Sequence, residues 1–296
     1  MWSGLPEELL QLRAARRLSK ATACRPARQA ALLSCQDKAE IMAEPPNQKA
    51  VANGLCAHCP LHPSFLEAGR CQPGETCIRA HSGRQIDRFL RRNPEEAEHY
   101  LDDIFWERRA IAARHAPVDR IIRLKTDSDE VVRRVIASRL PIDQLAAMAG
   151  DPDREVRLSV AARLPEELLL RLIDDADYLV RATVARRLPH GQLSRLARDP
   201  EREVRKVVAS RLPPFALHLL AADPEPEVRA LVAERALPEL AVRLLHDAEW
   251  WVRLAAIDNV PPEQLAALAD DPEPEVRAAA LARLSPPTAA CPEERT

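Results

Sequence analysis

The chain has 296 residues and a formal net charge of −2, with only 3% aromatic residues against 46% apolar ones. That balance excludes a global electrostatic pull toward nucleic acid or an anionic membrane, and no apolar run of about 18 residues is present to span a bilayer. Seven glycines against 26 prolines favour short helices of Ala, Leu and Val stopped by proline over a sheet of aromatic and β-branched strands, so an all-α fold is predicted.

Residues 1–50 carry a charge of +3 and show no repeating column. They are read as a flexible leader containing Cys24 and Cys35. Met42 is a candidate start that would remove what precedes it; a genuine flexible extension is the competing reading. The leader has no apolar core of the length a secretory signal needs, which points to the cytoplasm.

Residues 51–105 are read as a separate cysteine module. Cys56, Cys59, Cys71 and Cys77 follow the pattern C-x₂-C-x₁₁-C-x₅-C, with Pro60 after the second cysteine. In a chain without a secretion signal such crowding indicates a metal or cluster site rather than disulfides. Four thiolates in this span can close around one tetrahedral zinc or one iron–sulfur cluster, and the spacing leaves both open. His58, His62 and His81 could replace a thiolate, but with four cysteines at hand they are assigned to the surface.

Residues 106–285 are read as a repeat array. Val-Arg recurs at Val132-Arg133, Val156-Arg157, Val180-Arg181, Val204-Arg205, Val228-Arg229, Val252-Arg253 and Val276-Arg277, a step of 24. A fixed period of this size marks a stacked architecture. Asp opens each unit (127, 151, 175, 199, 223, 247, 271) and is expected to cap a helix, with the following proline at its first position. Apolar residues then fall at steps of four, as in Val156, Val160 and Leu164, forming one buried stripe. Ala137, Ala161, Ala185, Ala209 and Ala233 would let neighbouring helices approach closely. Arg-Leu-Pro stops the helix, since the residue before proline disfavours the α region. About ten residues remain per unit, enough for a short α or 3₁₀ segment. The register slips once, at Arg235-Ala236-Leu237-Pro238, and a weaker copy precedes the array at Arg108-Arg109 and His115-Ala116-Pro117. Residues 286–296 are read as a disordered tail.

Two arginine ladders run along the array, one through 133, 157, 181, 205, 229, 253 and 277, the other through 139, 163, 187, 211, 235 and 283. They could track a phosphate backbone. The structural reading is preferred: an acid four residues before each Arg of the first ladder, as in Asp129–Arg133, makes a favourable helical ion pair. Trp250-Trp251 could anchor a partner or pack across the shortened loop before it, and packing is preferred; Tyr178 occupies the position equivalent to Trp250. No phosphate-binding glycine loop, H-E-x-x-H or G-x-S-x-G string occurs, so no catalytic residue is assigned.

The four cysteines, followed by units of the form D-P-x-x-E-V-R-x-x-V-A-x-R-L-P, resemble the leucine-rich repeat variant proteins that bind a [4Fe–4S] cluster. The resemblance covers roughly residues 50–285. It implies a right-handed superhelical solenoid of alternating α- and 3₁₀-helices, capped at its N-terminal end by the cysteine module. It also implies that Cys56, Cys59, Cys71 and Cys77 hold the cluster, with zinc as the alternative. Members of that family have been met near nitrogen-fixation genes. The resulting expectation is a non-enzymatic, redox-responsive or electron-transferring scaffold for a protein partner. The rival expectations are a nucleic-acid-binding HEAT-like repeat protein and a zinc-capped scaffold; neither a polyanion nor a membrane is expected as partner.

Overall fold

A computed structural model describes residues 54–285, which fall within one compact unit. The leader with Met42, Cys24 and Cys35, and the tail with Cys291, lie outside the described residues. The main helices are α1 (Gly83–Arg92), α2 (Trp106–His115), α3 (Glu130–Arg139), α4 (Arg154–Arg163), α5 (Tyr178–Arg187), α6 (Arg202–Arg211), α7 (Pro226–Ala233), α8 (Trp250–Ala256) and α9 (Pro274–Leu284). From α2 onward each packs against the main helix of the next repeat. No helix among the described residues is long and apolar enough to cross a membrane.

Proline and burial shape each repeat as the pattern predicts. Leu140, Leu164, Leu188 and Leu212 precede proline and turn extended, with ψ between 142° and 146°, so the helices end there after ten residues. The second segment is usually one α-turn followed by one 3₁₀-turn, as at Ile142–Leu145 and Ala146–Met148. It is wholly 3₁₀ at Pro214–Leu220 and wholly α at Pro238–Leu244, after the register slip. Its inward leucines, Leu145, Leu169, Leu193, Leu217 and Leu265, are fully buried, as is the alanine column from Ala137 to Ala233. Neither segment could bury its apolar side alone, and stacking joins them into one continuous core from Ile78 to Ala280.

The helix caps differ from expectation. Each helix begins three residues after the opening Asp, and the residue at its N-cap is the second acid of the unit. Asp129 accepts the Val131 N–H at 2.9 Å, Asp153 that of Val156 at 3.0 Å and Asp177 that of Leu179 at 2.8 Å. Glu201, Glu225, Glu249 and Glu273 hold the same position without a side-chain cap bond; glutamate's extra methylene places its carboxylate poorly for this short return bond. The opening Asp instead accepts the N–H two residues on, at 2.9 Å for Asp127, Asp151 and Asp175, which is an Asx-turn leading into the helix. Pro152 and Pro200 therefore lie in that turn, while Pro226 and Pro274 occupy the first helical position.

The first arginine ladder is structural, but its partner is not the acid four residues earlier. Arg133 grips Asp151 of the following repeat through Nε–Oδ2 at 2.8 Å and Nη2–Oδ1 at 3.0 Å. Its Nη1 donates to the Asp127 carbonyl at 2.8 Å. The same planar fork joins 157 to 175, 181 to 199, 205 to 223, 229 to 247 and 253 to 271. Each opening Asp thus links two repeats while shaping its own turn. The weaker N-terminal copy is a full member: Arg109 in α2 pairs with Asp127 at 2.8 Å in the same way.

The second ladder stitches repeats through backbone carbonyls. Arg163 donates to Ala137 O and Leu140 O, and Arg211 to Ala185 O and Leu188 O. These acceptors lie at the C-terminal ends of the preceding main helices, where carbonyls lack an intrahelical donor. Asn259 performs the same task for Ala233 O at 2.8 Å, a member of this column that arginine counting missed. Trp250 and Trp251 meet edge to face at 5.9 Å, and both are half-buried against the core. Packing accounts for that pair, whereas Tyr178 remains exposed.

Candidate metal centre

The cysteine module is held by turns and by its attachment to α1. A tight turn brings the Cys59 N–H to the Cys56 carbonyl at 3.2 Å, and the His62 N–H follows onto Cys59 O at 3.1 Å. A single helical turn, Ser64–Glu67, leads to Gly69 at φ 66°, a left-handed conformation that glycine adopts without a Cβ clash. The chain then reverses so that the Arg70 N–H reaches Phe65 O at 2.8 Å, which delivers Cys71. Gln72 and Thr76 exchange backbone hydrogen bonds around Gly74, at φ 88°. Gln85 of α1 donates to Gly74 O at 2.8 Å, and its own carbonyl accepts the Cys77 N–H at 3.3 Å.

These turns place all four predicted residues, Cys56, Cys59, Cys71 and Cys77, around one pocket, with Leu61, Ile78 and Phe89 among its apolar walls. The cysteines are free thiols; Cys77 is buried and the others half-buried. Burial pushes the Cys77 thiol up, partly offset by backbone N–H groups of Arg79 and Ala80 that donate to it; the charges of Cys59 and Cys56 push it further. Burial also raises Cys71, followed by the charges of Cys77, Cys59 and Cys56, and it raises Cys56 ahead of Cys59. Four thiolates would repel one another in this apolar pocket, a donor set that a multiply charged iron or zinc centre would neutralise. N–H donors on sulfur favour the thiolate form that either centre would bind. Among the described residues, no group of three or more His, Cys, Asp or Glu side chains is gathered as a ready single-ion site.

Of the histidines, His62 lines the pocket from an exposed position, while His58 is exposed and His81 packs edge-on to Phe105 at 5.9 Å. Sequence reading missed the residues that brace the module. Asn93 is fully buried: its Nδ2 donates to Arg70 O at 3.0 Å and Phe89 O at 2.9 Å, and its Oδ1 accepts Arg70 Nε at 2.8 Å. It ties the end of α1 to the loop that presents Cys71. Its only sequence signal is its position before Pro94, where helices commonly end. The Arg70 guanidinium also lies over the Phe65 ring at 3.9 Å, and Phe65 stacks on Phe89 of the pocket wall. Tyr100 stands behind this wall, its phenol pushed up to about 12 by burial and then by the charge of Cys59.

Gly83 joins the module to the array. A Cβ at this position would fall against Glu107 Oε1 and 3.3 Å from Ile111 Cδ1 of α2, so the Glu107 side chain occupies the space beside the start of α1 and would have to swing away from a larger residue there.

A pocket of four thiols built onto the first turn of a repeat solenoid defines a cysteine-capped helical-repeat protein. Residues 53–99 match the family described as "LRV protein FeS4 cluster", and residues 154–177, 178–201 and 202–225 match "Leucine rich repeat variant". A solved leucine-rich repeat variant with a novel repetitive structural motif is 54% identical, with a TM-score of 0.74 over 77% of this chain and 98% of that one. The "Uncharacterized 27.7 kDa protein in nifB 3'region" of Rhodobacter capsulatus is 40% identical over 78 residues, which are 26% of this chain and 31% of that protein. The chain therefore spans about a third of that curated relative's length. The chain belongs to the leucine-rich repeat variant family and is an iron–sulfur-cluster-binding helical-repeat protein.

Proposed function

We propose that Cys56, Cys59, Cys71 and Cys77 ligate one [4Fe–4S] cluster, and that the chain works in the cytoplasm as a redox-responsive or electron-transferring scaffold for a protein partner. The observation that carries this reading is the enclosure of all four thiols in one apolar pocket. Bound there, the cluster would supply a one-electron redox centre and cross-link a module whose own core is small. The protein's part is to hold the sulfurs on turns braced by Asn93 and Gln85, to donate N–H groups to Cys77, and to screen the pocket with Phe89 and Ile78. Free thiols support a reducing compartment. A non-catalytic role agrees with the array's chemistry, because its recurrent Asp and Arg groups are consumed in ladder pairs.

Anaerobic purification followed by iron, sulfide and zinc analysis tests the assignment. Equal iron and sulfide with a broad visible absorption is expected, lost in Cys71→Ser and Cys77→Ser. Colourless protein containing one zinc per chain would replace the cluster with a structural zinc.

A further inference from the structure

α1 carries an arginine face that neither the ladders nor the pocket uses. Ile86, Phe89 and Leu90 are buried on one side of this helix, and Phe89 is part of the cysteine pocket wall. At 3.6 residues per turn, Arg84, Arg88 and Arg91 fall together on the other side, and all three are exposed. Arg91 reaches Asp87 at 2.6 Å, and among the described residues Arg84 and Arg88 meet no carboxylate. Exposed Arg114, at the end of α2, extends the patch. Burial pushes the Asp87 carboxyl up, yet His115, Arg91 and Arg114 together hold it below the usual carboxylate range. Of the nearby acids, Glu95 pairs with Arg70 and Glu96 with His99, while the Glu107 carboxylate lies against Gly83 without an ion-pair partner among the described residues.

We propose that the Arg84–Arg88–Arg91 face of α1 docks an acidic protein surface, holding a partner about one helix diameter, ~10 Å, from the cysteine pocket. This inference rests on the scaffold reading above and gives it a location and a partner chemistry. Arginine suits such a contact because its planar fork pairs with carboxylates and its stem covers apolar surface. A protein is favoured over nucleic acid because α1 has ten residues, about 15 Å of helix. Duplex binding commonly draws on about 6–10 phosphate contacts, more than this short face offers, whereas a few complementary charges suffice to orient a protein pair.

The test uses the full chain with its metal centre loaded. Fluorescence anisotropy measures binding of a labelled oligoglutamate peptide and, separately, of a DNA duplex of matched charge, over a salt series. Arg84→Glu with Arg88→Glu is expected to weaken peptide binding by about tenfold or more at low salt. The control pair Arg171→Glu with Arg195→Glu, on the array, is expected to leave it within about twofold. Equal losses in both pairs, or no peptide binding at low salt, would overturn the proposal. DNA binding that is tighter than peptide binding and lost with Arg84 and Arg88 would overturn it in favour of a nucleic-acid site. Iron and sulfide content is read on every sample: cluster-loaded protein that ignores the peptide sinks the docking site alone, and cluster-free protein that binds it sinks the cluster assignment alone.

Discussion

Arg205 and Asp223 offer the sharpest test of how the array coheres. Each is only 7% exposed. The guanidinium gives Nε to Asp223 Oδ2 at 2.7 Å and Nη2 to Oδ1 at 3.0 Å, while Nη1 serves the carbonyls of Asp199 and Pro200 at 2.9 and 3.1 Å. Arg205→Ala removes all four bonds and leaves the Asp223 carboxylate buried with the Glu225 N–H, at 2.9 Å, as its remaining donor. Breaking a buried pair from one side costs about 3–5 kcal/mol. Were Glu201, four residues earlier, the real partner, the loss would be only about 0.2–0.5 kcal/mol. Urea unfolding followed by helical circular dichroism separates the two, and the slope shows whether the array still unfolds as one unit. Asp223→Leu combined with Arg205→Met should recover much of the loss, because matched apolar replacement removes both desolvated charges. A cost below about 1 kcal/mol for Arg205→Ala, or an equal loss in Glu201→Gln, would refute the pairing between repeats.

Acid should loosen the ladder. Arg253 holds the Asp271 carboxyl below its usual range against the effect of burial; at Asp127 and Asp247, burial pushes upward but Arg109 and Arg229 prevail. With the folded values depressed, the stabilisation is complete above about pH 4 and is lost as pH falls through the folded values. Urea midpoints should hold down to about pH 4 and then drop, less steeply in Asp271→Asn; a drop of ladder origin between about pH 7 and 5 would contradict the pairing. Asp177→Ala should cost about 1 kcal/mol, because its carboxylate caps α5, whereas Glu249→Ala, which removes no cap bond, should cost a few tenths; equal losses in thermal melts would refute the cap assignment. Ala209→Leu inserts three carbons into a fully buried position and should destabilise by about 1–3 kcal/mol or more through overpacking; an unchanged melting temperature would show that the repeats are not closely packed there.

Much of this architecture is legible in the sequence because repetition turns a weak local preference into a column. The proline stops, the apolar stripe of the main helix and the alanine column each read correctly, since their causes lie within a few residues of the side chain concerned. The opening Asp is different. It stands six residues before the Arg of its own repeat and 18 residues after the Arg of the preceding one, as Asp151 does between Arg157 and Arg133. A 24-residue period contains both relations at every step, and only the stacking distance chooses the bond between repeats. The cysteine module has no columns at all. Its chemistry is visible because cysteine is rare, but Asn93 and Gln85 are ordinary residues whose role exists only once the loop meets α1.

The two ladders also explain why one column tolerates substitution and the other does not. The second asks for an N–H donor to a carbonyl of the preceding repeat, so Asn259 can stand where other repeats place arginine. The first asks one side chain to bind a carboxylate with two parallel bonds and two carbonyls besides, as Arg157 does with Asp175, Asp151 and Pro152. Only the guanidinium has enough donors in a fixed plane for that; lysine's three donors radiate from one atom. Arginine accordingly occupies every position of the column from 109 to 277. The face of α1 is where the same side chain is spent without any such internal demand, on the helix that also walls the cysteine pocket.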